Sequence, residues 1–126
     1  MNYEQDYIMR MIYELIRTML KLLFNIDNTD YTVNQFDNEV TQIQYTELTK
    51  LVKLGKINEA ENRLFIILEK DEKENLKLAL LFYECLNELD DDCLNESDYS
   101  RAEIELGIKT VAQMYGYEEF ANTFLS

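Results

Sequence analysis

Five carboxylates crowd one short stretch of the chain: Glu84, Glu88, Asp90, Asp91 and Asp92. Oxygen ligands of this kind suit hard cations such as Mg²⁺ or Ca²⁺, so this stretch is the candidate for metal-dependent chemistry. Asp90 and Asp92 begin like a calcium loop, but Leu94 stands at the next ligand position and Asn95 where that loop requires glycine. The preferred reading is a helix end followed by a solvated acidic loop, with no metal and no cofactor.

Other catalytic chemistries lack their groups. Histidine, the side chain whose ordinary pKa lies nearest neutral pH, is absent, which removes Cys–His nucleophiles, Ser–His triads and histidine-ligated zinc. With three glycines, the chain holds neither a GxxxxGK[ST] nor a GxGxxG phosphate loop. Cys85 falls on an apolar stripe and is expected to pack in the core. Cys93 sits beside three aspartates whose field disfavours its thiolate, and both cysteines are expected to be reduced. The chain is expected not to be an enzyme.

Binding is the remaining role. Tyr7 and Arg10, with Tyr3 nearby, combine residue types favoured at interface hot spots. Lys53, Lys56, Glu59 and Arg63 surround a sharp bend and are the other candidates for a partner-binding groove. A net charge of -13 repels phosphate backbones and argues against nucleic acid. Residues 1–24 are neutral, so the acidic excess lies later in the chain, where a basic segment of a protein or peptide partner would be steered. The apolar runs LFIIL and LALLFY fall far short of the ~20 residues that span a bilayer. No charged stretch followed by an apolar run opens the sequence, and a cytoplasmic protein without membrane attachment is expected.

These residues need helices to position them. The sequence has 126 residues and no proline, which fits one all-α domain with a single core. Asn2 and Gln5 resemble a helix start. Ile8, Met11, Ile12, Leu15, Met19, Leu22 and Leu23 then recur at helical spacing, with Arg10, Glu14, Arg17 and Lys21 on the other face, where Glu14 can pair with Arg10 or Arg17. That apolar stripe either closes the core or meets its own copy in a homodimer. Asn25 to Asn38 reads as a long loop. Helix two is predicted from Asn38 to Leu54, with Val40, Ile43, Leu48, Leu51 and Val52 inward and Gly55 ending it.

Helix three follows at once, with Asn58 and Glu61 at capping spacing and Ile57, Ala60, Leu64, Ile67 and Leu68 inward. Helix four, Leu76 to Leu89, carries two apolar stripes and should pack on both sides. The acidic stretch DDDCLNESDYS is predicted to be a loop. Ser100 and Glu103 form a capping box that opens helix five, Gly116 stops it after Tyr115, and EEFANTFL can add a short sixth helix.

The turn GKINEA, Gly55 to Ala60, with Leu51 before it and Leu64 after, resembles the turn between the helices of a tetratricopeptide repeat. Larger residues stand where that pattern expects small ones, at Leu48 and Ile67, and Glu72 where it expects proline. One degenerate hairpin followed by a second pair of helices is implied, instead of a regular array. The whole chain is similar to a family of short bacterial helical proteins that open with a motif like QDYIMR, here Gln5 to Arg10, and carry the same turn; that family has no assigned activity. The combined expectation is an all-α protein of five or six helices in antiparallel, tetratricopeptide-like hairpins. It would bind a protein or peptide in a helical groove, with a homodimer through helix one or a weak metal-dependent carboxylate enzyme as alternatives.

Overall fold

A helix with apolar side chains on opposite sides must be covered on both, and the segment around Leu76 to Leu86 meets that condition. In the computed structural model it becomes α4 (Lys73–Asn87), the helix around which the others gather. The structure describes residues 3–27 and 36–125, and of residues 3–5 the backbone alone. The proposed cap at Asn2, the side chain of Tyr3 and most of the loop before helix two lie outside the described residues. Seven helices and no strand occur among those described: α1 (Tyr3–Phe24), α2 (Glu39–Lys53), α3 (Ile57–Ile67), α4, α5 (Asp91–Glu96), α6 (Arg101–Met114) and α7 (Glu118–Leu125). The protein is all-α.

Contacts along α4 set the directions of its neighbours. Asn87 Nδ2 donates to the Met9 carbonyl at one end, and the Lys73 ammonium lies over the Phe24 ring at the other, so α1 runs antiparallel to α4. Asn38 N donates to Glu74 at 3.0 Å, which starts α2 and α4 side by side and makes them parallel. The α3 helix folds back along α2. Antiparallel α6 brings Gly107 against Tyr83 and the Tyr115 hydroxyl to the Glu72 carbonyl, and α7 then packs on α1 and α6.

The apolar stripe of α1, centred on Ile12, Leu15, Ile16, Met19 and Leu20, is wholly buried within its own chain. In α2, Val40 and Ile43 were expected inward, but they are 61% and 52% exposed. Leu48 and Val52 are buried as expected, but the stripe continues through Tyr45 and Thr41 in place of Ile43 and Val40, an equally helical spacing that periodicity alone could not choose against.

Helix ends follow local chemistry. Gly55, at φ 79°, lets the Lys56 amide reach the Leu51 carbonyl at 2.9 Å, turning the chain from α2 into α3. Ser100 and Glu103 form the expected reciprocal capping box of α6. The acidic stretch departs from expectation, because residues 91–96 form α5 instead of a loop. Asp90 caps it by accepting from the Cys93 amide at 2.8 Å, Leu94 anchors it in the core, and Asp98 ends it at φ 54°, a stop that usually marks glycine. At α3 the first helical residue is Ile57, so Asn58 does not cap, and its amide reaches the Asp98 carbonyl instead.

Candidate functional site

Where α1 runs past the start of α4, its last turn, the residues after it and the approach to α2 enclose a cleft of about 810 Å³. Its apolar walls are Leu22, Leu23, Phe24, Ile26 and Phe36; its polar groups are Asn25, Asp37, Lys73, Glu74 and Lys77. Leu22, expected inward, is 65% exposed because it borders this opening. The two lysines lie over aromatic rings, Lys73 5.3 Å from Phe24 and Lys77 5.0 Å from Phe36. Such contacts contribute roughly 0.5–1 kcal/mol each and hold the ammonium groups at the rim. Glu74 is committed to the Asn38 amide. The lining is half apolar and half polar or charged, and the volume falls within the ~300–1,000 Å³ common for pockets that take a small molecule.

The sequence candidates are dispersed around this geometry. Tyr7 and Arg10 are exposed on the first half of α1. Lys53 and Lys56 are exposed at the α2–α3 bend, and Glu59 pairs with Arg63 at 3.5 Å along α3. The two sets are not gathered into one site, since α1 packs on α4, α6 and α7 while the hairpin reaches α4 through α2. Of the hairpin set, Arg63 lines a shallow furrow of about 190 Å³ between α2 and α3.

Of the carboxylates that suit a hard cation, Glu84, Asp90 and Asp91 are engaged by other groups. Glu84 is clamped by Arg17, whose Nη2 donates to Oε1 at 2.9 Å while Nε stands 2.8 Å from Oε2. Of the two arginines within reach of Glu14 on the sequence, Arg17 is thus engaged by Glu84. Burial pushes the Glu84 carboxyl upward, and the Arg17 guanidinium only partly offsets that. Asp90 is held below the usual carboxylate range by hydrogen bonds centred on the Cys93 amide, and Asp91 binds Arg101. No group of three or more potential ligands is placed to hold a metal ion among the described residues. The Cys93 thiol is pushed up by its hydrogen bond to Asp90 and the surrounding acids; burial does the same to Cys85, opposed by Lys53.

Two polar constellations escaped the sequence reading. Arg101, 3% exposed, donates from Nε to Asp91 at 2.9 Å, from Nη1 to the Asn87 carbonyl at 3.2 Å and from Nη2 to the Leu89 carbonyl. It satisfies the carbonyls at the end of α4 and ties α5 and α6 to them. Glu61, expected in a capping box, accepts from the hydroxyls of Tyr83 at 2.6 Å and Tyr99 at 2.8 Å, joining α3, α4 and the entry to α6. Burial and that carboxylate push both phenols far above their ordinary range.

No described helix is long and apolar enough to cross a membrane. Neither the curated proteins nor the solved structures contain a match to this chain. One family model does match, over residues 2–116 of the 126, and by it the chain belongs to the family of unknown function DUF6483.

Proposed function

We propose that this protein is a non-catalytic interaction module that takes a segment of a protein partner in the cleft between the end of α1 and the start of α4. The observation that carries the reading is the cleft itself: about 810 Å³, walled by Leu22, Phe24 and Phe36, with cationic groups pinned at its rim. The arrangement of the polar chemistry favours binding over catalysis, because Glu84, Asp90 and Asp91 are each engaged by Arg17, Cys93 or Arg101. The same role would follow from a tetratricopeptide-like organisation, a reading supported by the α2–α3 hairpin, the burial of Ala60 and the antiparallel pairing of α4 with α6. The cleft carries both signs of charge, so a preference for a basic segment would come from long-range steering by the acidic surface around α5 and α6.

The test is co-purification of the tagged protein and of its Leu22→Glu variant from the native host, at low and high salt, with mass spectrometry of what stays bound. The expected result is a stoichiometric protein lost from the variant, whose thermal unfolding stays unchanged because Leu22 is exposed. Equal capture by both forms, or none by either, would overturn the assignment of the cleft.

A further inference from the structure

The outer sides of α2 and α3 carry two stripes that no described element covers. On α2 and its C-cap, Val40, Ile43, Glu47 and Leu54 follow at spacings of three, four and seven residues; on α3, Arg63 and Ile66 stand across a furrow from Glu47. Ile66 is 64% exposed, alongside the exposed Val40, Ile43 and Leu54. Spacings of three and four mark one face of a helix, and side chains repeated this way form the ridges on which another helix packs. In this chain α3 packs chiefly on α2 alone, so the pattern stops at an open edge.

Charge points to the occupant. Residues 38–70 carry five acidic and five basic side chains, whereas residues 71–126 carry fourteen acidic and four basic ones. Two copies of a molecule at -13 repel across the acidic part of their surface, while the hairpin offers a face that is neutral and partly apolar. The face is also self-complementary, since Glu47 of α2 and Arg63 of α3 line the same furrow and lie at the same height along the hairpin. A two-fold axis parallel to the helices lays α2 of one copy over α3 of the other.

We infer that two copies of this chain pair hairpin on hairpin about such an axis, with Glu47 of each copy meeting Arg63 of the other and Ile43 meeting Ile66. The interface is isologous, so each contact counts twice. It uses neither the apolar stripe of α1, which is buried in its own core, nor the cleft beside α4, so it stands independently of the binding role proposed above.

Sedimentation equilibrium on the full chain measures the pairing, with circular dichroism confirming that each variant is folded. The wild type is expected to dimerise and Ile66→Asp to be monomeric at the same concentration. Arg63→Glu alone and Glu47→Arg alone should each weaken the dimer by roughly tenfold or more, and the double variant Glu47→Arg with Arg63→Glu should recover most of that loss. The double variant separates the cross-copy pair from the bond between Arg63 and Glu59 within α3, which it cannot restore. A wild type that stays monomeric at high micromolar concentration, an Ile66→Asp dimer, or a double variant no tighter than the singles would each overturn the pairing.

Discussion

Replacing Gly107 with alanine sets two physical effects against each other. In an isolated helix the change is favourable by about 1 kcal/mol, because glycine carries extra backbone entropy. In this protein a Cβ at that position would stand 2.3 Å from the Tyr83 hydroxyl oxygen, with two ring carbons at 2.5 and 2.6 Å. Tyr83 is 0% exposed and packs edge-on against Phe82, so the ring has no open space to enter. Its hydroxyl is also held by Glu61 at 2.6 Å.

Moving the ring costs roughly 1–3 kcal/mol in packing and forfeits a hydrogen bond to a carboxylate of about 1.5–3 kcal/mol, against a gain of ~1, for a net loss of roughly 1.5–5 kcal/mol. Urea unfolding followed by circular dichroism measures the difference directly. Repeating the substitution in a Tyr83→Leu background, where the ring is gone, should recover at least ~1 kcal/mol of it as coupling. A Gly107→Ala protein as stable as the wild type, or an equal loss in both backgrounds, would refute the close approach of α6 to α4 as the reason for this glycine.

Arg101→Ala should lower stability by about 3 kcal/mol, since it strands the Asn87 and Leu89 carbonyls and removes the partner of the half-exposed Asp91, and Arg101→Lys should restore little of it because one ammonium cannot replace three separate donor atoms. Thermal melts should show a shift of roughly 10 °C for both variants, and a lysine variant close to wild type would refute the three-point role. In alkali the protein should lose stability as pH rises above ~10, because the folded chain keeps phenol protons that the unfolded chain releases. Tyr45 is pushed up to about 12 by burial, and Tyr83 and Tyr99 are raised by burial and Glu61. Their contribution is whole below the ordinary tyrosine range and is lost upward through it, so Tyr99→Phe should flatten the decline by up to ~1.4 kcal/mol per pH unit. Urea midpoints across that range check this, and an unchanged slope would refute the buried role of the Tyr99 phenol.

Helix identity and most helix ends were written locally in the sequence. The absence of proline, the 3.6-residue recurrence of Ile12, Leu15, Met19 and their successors, the glycine stops at 55 and 116 and the Ser100–Glu103 box each act within a few residues, so each could be read without a partner. Helix α5 was missed because its stop is an aspartate in the left-handed conformation and its core anchor is one leucine, signals that are weak until Arg101 ties the turn to α4. Which residues continue the inward face of α2 from Leu48 and Val52 was equally undetermined, since Val40 and Ile43 lie at helical spacing from Leu51 as Thr41 and Tyr45 do from Leu48.

The sequence by itself therefore determined the all-α class, the hairpin turn and the absence of histidine and of glycine-rich phosphate loops, because these depend on residue type and near neighbours. The pairing of Arg17 with Glu84 across 67 residues, the convergence of Tyr83 and Tyr99 on Glu61, the fit of Gly107 beneath a tyrosine ring and the cleft beside Leu22 were decided only by the tertiary structure. Each depends on which helix faces meet, and that choice is made by packing the whole chain around α4.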